Sequence, residues 1–387
     1  MRILFLTPFL PNPGASHGGG SYLGAICEAL GQRAEVGVAH LRHPGEPLPD
    51  PASWSWSRSA AYQGAPQGVT HRLRMLWHWR RQPLLVAKHW NPAFASVIAE
   101  ARRTFAPDVA LVEMAQMAQY LPCLEGLPTV LTDHEDGRPA NAGTGLGGMA
   151  DRRDLRLWRR YVRRYYPMAS RIQAVTQEDA AALQRELGAP VEVRPAALRP
   201  PARACAPAAA PQTALFLGDY RHQPNQEAAR RLVDEVWPLV RARYPGSELV
   251  LAGPNEAPIQ SLGERAGVRV VGFVPDLQEL MGSARLVLAP LWSGGGFRVK
   301  NAAALLSGVP VVTNELGARG CRAPEPACVV RETSAALAEA ACVLLGSAEQ
   351  AGAAGAAARS WAQEQFSPDA VAARQIERLE ALVAQRG

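Results

Sequence analysis

Residues 293–320 read SGGGFRVKNAAALLSGVPVVTNELGARG and join a glycine loop to a helical segment and then to an apolar strand. The three consecutive glycines, Gly294, Gly295 and Gly296, let the backbone approach an anion closely, and the helix that follows directs its positive dipole end toward that anion. Arg298 and Lys300 add full positive charges beside that dipole. The stretch therefore predicts a phosphate site at the start of a helix.

Short apolar segments alternate with helical patterns along the rest of the chain, which indicates an α/β architecture with parallel sheets. The strands predicted in the first half are residues 3–7, 35–39, 109–113, 129–132 and 172–175. Those predicted in the second half are residues 214–217, 248–252, 268–271, 286–290 and 309–313, and a long helix is predicted over 226–244. Residues 44–70 are rich in Pro, Ser, Gly and Trp and are predicted to be irregular.

The chain of 387 residues is long enough for two domains. Residues 195–211, PAALRPPARACAPAAAP, favour neither helix nor strand and are interpreted as an interdomain linker. The pattern on either side predicts two similar doubly wound halves. Two such halves facing each other form a cleft, with ligands beyond the carboxyl ends of the strands.

Composition and charge disfavour several classes of protein. No segment approaches the run of about 20 apolar residues that spans a bilayer, and the first residues are interpreted as a buried strand ending at Pro8 rather than a signal peptide. The six cysteines form no CxxC pair, which favours free thiols in a reducing cytoplasm over disulfides or zinc. A net charge of +6 suits phosphate-bearing substrates or an acidic membrane surface, and nucleic acid is disfavoured because no recognised motif accompanies the charge.

Two candidate sites lie in the first half. Gly18, Gly19 and Gly20 follow the first predicted strand, where a glycine cluster indicates either phosphate binding or simply a tight turn into a helix. The cluster is not GxGxxG, which disfavours a nicotinamide or flavin site. Asp133 and His134 follow another strand within VLTDHEDG, residues 130–137, where such folds place catalytic groups. The alternative for that loop is an ordinary solvated turn.

The second half offers Gly218, which would let a ligand close on a strand end, and Arg221, which could contact a phosphate. Two basic, aromatic stretches stand apart, residues 71–84 and 151–166. In the second of these, Leu155, Trp158, Val162 and Tyr165 are expected near one helical face with arginines around the rest. Such a helix suits an anionic membrane surface, although a core-facing helix with a solvated basic side is the favoured interpretation.

Together these motifs resemble the retaining, nucleotide-sugar-dependent glycosyltransferases of family four, also described as glycosyl transferases group 1, which have the GT-B architecture of two facing Rossmann-like domains. The resemblance covers nearly the whole chain. It rests on PFLPNPGASHGGG (residues 8–20), on 216–253 with its Pro224-Asn225 pair, on VRVVGFVPDLQELMGSARLVLAPL (268–291), on 294–320 and on FSPDA (366–370). It implies an acceptor-side domain over 1–200, a donor domain over 201–365 and a helix over 366–387 that crosses back to the first domain.

The resemblance also implies roles for individual residues. Gly272 to Val274 would lie against the nucleotide base, Gly294 to Phe297 would wrap the diphosphate and sugar, and Gly18 to Gly20 would face the acceptor. The donor, a UDP- or GDP-sugar, would be a co-substrate, with no cofactor and no metal. The implied catalytic residues are His134 and Asp133, and the implied donor-binding residues are Gly218, Arg221, Gly272, Phe273, Val274, Gly294, Gly295, Gly296, Phe297, Arg298, Lys300 and Glu315. The acceptor would be a glycan, a lipid-linked glycan or a small molecule, and the protein would be cytoplasmic, with peripheral contact to an anionic membrane as a further partner.

One departure from the family pattern bears on activity. Relatives carry two glutamates eight positions apart, of which the second binds the donor ribose, and the matching positions here are Gly295 and Ala303. Losing one charge-assisted hydrogen bond of about 1.5–3 kcal/mol weakens binding by about one to two orders of magnitude. Three explanations stay open: a different donor, ribose recognition by Glu315 or the backbone, and lost catalysis. The alternatives are therefore a non-catalytic nucleotide-sugar-binding or scaffold protein of an envelope-glycan pathway, and a nucleotide-sugar 2-epimerase, for which only Glu315 offers a carboxylate.

Overall fold

The computed structural model describes residues 1–12, 18–46, 54–64, 68–135 and 147–385. It divides into two compact units, the first formed by Met1–Leu198 with Pro368–Gly387 and the second by Arg199–Ser367. The boundary at Leu198 falls inside the Pro- and Ala-rich segment. Residues 136 and 137 of the predicted polar loop lie outside the described ranges.

The first unit is built on a seven-stranded parallel sheet of order β3-β2-β1-β4-β5-β6-β7. Its strands are β1 (Arg2–Thr7), β2 (Glu35–Arg42), β3 (Trp56–Ala61), β4 (Val109–Glu113), β5 (Thr129–Asp133), β6 (Arg171–Ala174) and β7 (Glu192–Val193). Every residue of β4 and β5 is buried. Both strands are buried because helices cover both faces of a parallel sheet.

Helices surround this sheet, and the chain's last helix is one of them. They are α1 (Gly18–Gly31), α2 (Gly68–Trp79), α3 (Leu84–His89), α4 (Pro92–Thr104), α5 (Gly148–Tyr165), α6 (Gln177–Leu187) and α14 (Pro368–Ala384), with 3-10 segments at Ala115–Leu124 and Tyr166–Met168. The terminal helix α14 packs against α1. Arg378 on α14 also donates from Nη1 to the carbonyl of Val193 at 2.8 Å, which ties the chain terminus to the edge of the sheet.

The second unit has a six-stranded parallel sheet of order β10-β9-β8-β11-β12-β13. Its strands are β8 (Thr213–Leu217), β9 (Glu248–Ala252), β10 (Val268–Val270), β11 (Leu286–Leu288), β12 (Val311–Thr313) and β13 (Cys328–Val330). Its helices are α7 (Gln223–Arg231), α8 (Trp237–Arg243), α9 (Leu277–Gly282), α10 (Val299–Ser307), α11 (Glu315–Ala318), α12 (Ser334–Gly346) and α13 (Ala348–Phe366), with a 3-10 segment at Ala257–Glu264. Two doubly wound parallel sheets confirm the predicted fold class.

The predicted helix over residues 226–244 is present but is not uniform. It starts at Gln223, passes through a π-helical turn at Leu232–Val236 and continues as α8 to Arg243. Pro238 has no amide hydrogen to donate to the carbonyl four residues earlier, so the regular helical ladder is interrupted near this position.

The prediction that residues 44–70 are irregular is wrong for β3, which pairs in parallel with β2 from Gly37 opposite Trp56 to Arg42 opposite Ala61. Of its six residues, WSRSAA, only Ala60 is buried. An edge strand with one neighbour needs few apolar residues, so the alternating pattern that marks a strand is weak there.

The basic helix α5 buries one stripe of its surface. The buried residues are Asp154, Leu157, Trp158, Tyr161 and Val162, whereas Leu155 and Tyr165 are half-buried. This supports the interpretation of a core-facing helix with a solvated basic side, with the buried stripe rotated from the predicted one. Within the described ranges, none of the helices combines the length and apolar character needed to cross a bilayer.

Candidate functional site

The carboxyl ends of β8 and β11 flank the point where the strand order of the second sheet reverses. Open α/β sheets bind ligands at such switch points. Gly218 follows β8, and the loop after β11 runs from Trp292 to the start of α10. The loop and α7 are joined, because Ser293 Oγ donates to Glu227 Oε2 at 2.7 Å and the Arg231 guanidinium lies 4.0 Å from the centre of the Trp292 ring. The predicted donor loop therefore sits at the switch point.

Arg298 holds the glycine loop in shape. Its guanidinium donates to the carbonyls of Gly294 and Gly295, each at 2.9 Å, and to that of Leu316 at 3.0 Å. Gly294 and Gly296 have φ angles of +98° and +79°, in the left-handed region that side chains disfavour. Arg298 thus shapes the loop through backbone carbonyls, while its positive charge remains beside it.

Asn314 fastens the same loop from the other side. Its side-chain oxygen accepts from the Leu291 and Gly317 amides, each at 3.0 Å, and its amide group donates to the Leu291 carbonyl at 2.7 Å. The segment after β12 therefore supports the segment after β11. The sequence prediction missed Asn314, although an Asn directly after a strand and before a helix is a typical capping signal.

Lys300 lies in the first turn of α10 with an exposed side chain. Its ammonium has no hydrogen-bond or ion-pair partner in the described part of the chain. Surrounding protein atoms desolvate the ammonium and lower the pKa of Lys300 to about 8, while the negative charge of Asp219 opposes that shift. An unpaired cation at a helix start is available to an anionic ligand, and this chain has only one other lysine, Lys88.

Three glycines bring the ends of β8, β9 and β10 close together. The Gly253 amide donates to the Gly272 carbonyl at 2.7 Å, and a Cβ atom on Gly253 would lie 1.7 Å from the Gly218 carbonyl oxygen. Beyond Gly272, the Phe273 side chain is 70% exposed and Val274 is half-buried. The strand ends thus pack closely through their glycines, and an exposed aromatic ring stands beside them.

Replacing Gly253 with Ala is expected to lower the free energy of unfolding by about 3 kcal/mol, because overpacking and left-handed backbone strain each cost about 1–3 kcal/mol. The φ angle of Gly253 is +136°. Denaturant unfolding followed by circular dichroism measures the change. Gly246→Ala is the control, since a Cβ there meets nothing within 4 Å. Equal losses in both variants would contradict the close approach at Gly253.

Two of the predicted donor residues already have partners. Arg221 donates to Asp219, with its Nη2 2.7 Å from Oδ2, and these hydrogen bonds hold the pKa of the Asp219 carboxyl well below its usual range. Glu315 accepts from Arg322 at 2.5 Å, and both side chains are exposed. A phosphate at Arg221 or a ribose at Glu315 would compete with these pairs.

Ala303 and Phe297 complete the description of the loop and its helix. Ala303 is half-buried and lies three residues after Lys300 on α10, so both face the same side of the helix. The Phe297 ring contacts Phe366 edge to face with ring centres 5.6 Å apart, so that it anchors the loop to the end of α13.

A second polar cluster lies at the carboxyl edge of the first unit's sheet. Glu113 ends β4, His134 follows β5 and Arg194 follows β7. Arg194 donates from both Nη atoms to the two carboxylate oxygens of Glu113, at 2.8 and 2.7 Å. His134 Nε2 lies 2.9 Å from Glu113 Oε2 and 3.0 Å from the hydroxyl of Tyr22 on α1. Four side chains from separate elements thus form one network.

Burial sets the charge states of this network. Glu113 is fully buried and Arg194 is 3% exposed. Burial raises the pKa of Glu113, and Arg194 opposes that shift. Burial, reinforced by the charge of Arg194, lowers the pKa of His134 well below its usual range. His134 is therefore neutral, and when Nε2 donates to Glu113, Nδ1 carries the free lone pair; Nδ1 is buried without a hydrogen-bond partner among the described residues.

The other predicted site residues of the first unit, Asp133 and Gly18 to Gly20, are near His134 and Tyr22 in the sequence. The carboxylate of Asp133 is fully buried and accepts from the Tyr166 hydroxyl and, at 2.9 Å, from the Glu135 amide. These two contacts therefore hold the loop that follows β5. Gly18 to Gly20 form the first turn of α1, the helix that carries Tyr22 to His134. The sequence prediction missed Glu113, Arg194 and Tyr22 as members of the cluster.

Two family models match the chain, one in each of its two units. Residues 16–197 match the family model described as Glycosyltransferase Family 4, and residues 211–347 match the model described as Glycosyl transferases group 1. A search of curated proteins finds no match.

Solved structures of similar fold are distant in sequence. A sucrose-phosphate synthase from Thermosynechococcus elongatus is 17% identical with a TM-score of 0.71, and the match covers 100% of both chains. HepE from Anabaena in complex with UDP and glucose is 18% identical with a TM-score of 0.61, over 98% of this chain and 100% of that one. A glycosyltransferase from Rickettsia africae is 13% identical with a TM-score of 0.63, over 99% and 98%. These similarities show the fold, which is GT-B.

Proposed function

The chain is a glycosyltransferase of the GT-B type, and we propose that it transfers a sugar with retention from a nucleoside diphosphate donor to a hydroxyl of an acceptor. The observation that carries the proposal is Lys300, whose ammonium lies at the start of α10 beside the Gly294–Gly296 loop and has no hydrogen-bond or ion-pair partner among the described residues. In this proposal the donor diphosphate lies on that loop. Lys300 and Arg298 then stabilise the negative charge that develops on the leaving diphosphate.

The donor is proposed to be a UDP- or GDP-sugar that needs neither metal nor cofactor. Support for a uridine nucleotide comes from HepE, whose structures contain UDP, UDP with glucose, or UDP-glucose. The exposed Phe273 and the backbone of Gly272 would lie against the base, and Gly218 would let the donor approach the end of β8. Ala303 removes one expected ribose contact, so ribose would be held by backbone groups or by Glu315 released from Arg322.

The acceptor side is proposed to include His134. A neutral imidazole whose Nε2 is held by Glu113 presents Nδ1 as a hydrogen-bond acceptor, which suits the hydroxyl of a sugar. Asp133 would keep the preceding loop in place, and Gly18 to Gly20 would border the entry of the acceptor. The acceptor is a glycan, a lipid-linked glycan or a small molecule. All six cysteines are free, which supports a reducing, cytoplasmic location.

The test is a titration of the protein with UDP, GDP and dTDP, followed by turnover with the matching sugar donors and proton NMR of the product's anomeric centre. Binding of one nucleotide with transfer and retained configuration is the expected outcome. Inversion would refute retention alone. Nucleotide binding with neither transfer nor donor hydrolysis, for every donor and acceptor tried, would favour the non-catalytic alternative. The reason to consider that alternative is Ala303. Conversion of the free nucleotide sugar into its 2-epimer would favour the epimerase.

The affinity for a nucleoside diphosphate is expected to be constant between pH 7 and the pKa of Lys300, about 8, and to fall as the pH rises further. The anion favours the protonated amine, so raising the pH removes the charge that binds it, by at most about tenfold per pH unit. Calorimetry across this range measures the effect, and in it the phosphates are already ionised. Lys300→Arg is the control, since guanidinium keeps its charge and should give a flat profile. A fall of the same size in Lys300→Arg would contradict the assignment.

A further inference from the structure

A pocket lies in the first unit, and its lining residues do not include the network around Glu113. It has a volume of about 300 Å³ and opens between the residues that follow α2 and the last turns of α5. Trp77 and Trp90 form aromatic walls, and Tyr165 adds a third ring. The exposed fraction of Trp77 is 52%, so a large aromatic surface faces solvent here. Neither the donor loop nor the acceptor site proposed above uses these residues.

Three arginines line this pocket. The side chains of Arg81, Arg160 and Arg164 are exposed, and none donates a hydrogen bond or forms an ion pair with a described residue. By contrast, Arg163 in the same helix pairs with Glu186 at 2.7 Å. The described lining residues include no Asp or Glu. Three converging positive charges raise the local potential and favour an anion between them.

Stacking orients two of these guanidinium groups. Arg81 lies 4.9 Å from the centre of the Trp77 ring, and Arg164 lies 5.2 Å from that of Tyr165. A stacked guanidinium keeps its N–H edge free for oxygen acceptors and loses less side-chain freedom on binding. The planar fork of these edges matches the oxygens of a phosphate.

Gln119 also lines the pocket, and its side chain carries a hydrogen-bond acceptor, whereas the arginines carry only donors. Its side chain is 4% exposed, and its Nε2 donates to the carbonyls of Gln116 at 2.9 Å and Val86 at 3.1 Å. Those two bonds orient the amide, and its Oε1 is buried without a hydrogen-bond partner among the residues that the structure describes. A buried acceptor without a donor is costly, and a ligand hydroxyl would satisfy it.

We propose that this pocket binds a phosphate ester that also carries hydroxyl groups, such as a sugar phosphate or the polyol headgroup of an anionic lipid. Arg81, Arg160 and Arg164 would hold the phosphate, and Gln119 Oε1 would accept from a hydroxyl. The faces of Trp77 and Trp90 would cover the carbon skeleton between them. The site is independent of the donor loop, because it lies wholly in the first unit.

The experiment compares two triple variants of the full chain by calorimetry with glucose 6-phosphate at low salt. One carries Arg81→Gln, Arg160→Gln and Arg164→Gln. The matched control carries Arg80→Gln, Arg156→Gln and Arg159→Gln, which removes the same charge from exposed positions of the same segments outside the pocket. The pocket variant is expected to weaken binding at least about tenfold, and the control less than about twofold. Circular dichroism checks that both variants are folded.

A second arm uses vesicles of phosphatidylcholine with and without phosphatidylglycerol to identify the source of the phosphate. Binding of glucose 6-phosphate that only the pocket variant loses supports a soluble ligand. Vesicle binding that only the pocket variant loses supports a lipid headgroup. Equal losses in the two variants, or no binding of either probe by the unmodified protein, would overturn the proposal. The pocket variant should leave nucleoside diphosphate binding unchanged, so failure of the donor site and failure of this pocket are distinguishable.

Discussion

Arg194→Met is expected to lower the free energy of unfolding of the first unit by about 3–5 kcal/mol, because it leaves a buried carboxylate without its counter-charge. Glu113 is fully buried, and both of its oxygens accept from Arg194. His134, which also contacts Glu113, is neutral and cannot replace the guanidinium charge. Denaturant unfolding monitored by circular dichroism measures the loss.

The control for this effect is Arg163→Met, which breaks an exposed ion pair with Glu186 in the same unit and should cost less than about 1 kcal/mol. Acid should also reduce the deficit of Arg194→Met. Burial raises the pKa of Glu113 even with Arg194 present, and more so without it, so the carboxyl protonates as the pH falls and its buried charge disappears. A deficit that does not change with pH would show that lost packing, rather than the charge, causes the effect.

Much of the fold could be predicted from local pattern. Buried parallel strands such as β4 and β8 are short continuous apolar runs, and these runs alternate with helical periods over both halves. The edge strand β3 escaped prediction because one neighbour and one exposed face impose little apolar periodicity. The helix from Gln223 was expected at nearly its full length, whereas its π-helical turn at Leu232–Val236 depends on how the chain accommodates Pro238.

The candidate site could be predicted only where a motif is contiguous in the chain. Gly294 to Lys300 form such a motif, and the structure places them together at the switch point. Glu113 and Arg194 are 81 residues apart, and only the strand order brings β4, β5 and β7 to one edge. The role of Arg298 was also beyond local pattern, because its contacts with backbone carbonyls depend on the curvature of the glycine loop.

The alanine at position 303, where the resemblance implies a glutamate, affects the surroundings of Lys300 because both residues lie on α10. A glutamate there would lie three residues after Lys300 on the same face, where the opposite charges attract. With Ala303, the ammonium of Lys300 has no competing carboxylate on its own helix and is left to the ligand. In the proposed donor site, Ala303 would therefore both remove one ribose contact and leave Lys300 without a carboxylate partner on its own helix.

Lys300→Ala is expected to weaken nucleoside diphosphate binding by about ten- to a hundredfold, since one charge-assisted hydrogen bond is worth about 1.5–3 kcal/mol. Turnover is expected to fall further, by about a hundredfold or more, because charge on the diphosphate increases as the sugar leaves. Calorimetry with the nucleotide that binds the unmodified protein, and initial rates at saturating donor, separate the two effects.

Lys88→Ala removes the chain's other lysine from α3 in the first unit and should leave both quantities unchanged. Amine acylation gives an independent measurement, because the low pKa of Lys300 leaves much of its amine neutral, and therefore reactive, near pH 8. Bound nucleotide should protect Lys300 and not Lys88. Unchanged affinity and turnover in Lys300→Ala, or equal labelling of Lys300 with and without nucleotide, would place the diphosphate elsewhere, since an ammonium that contacts a phosphate cannot be both dispensable and freely reactive.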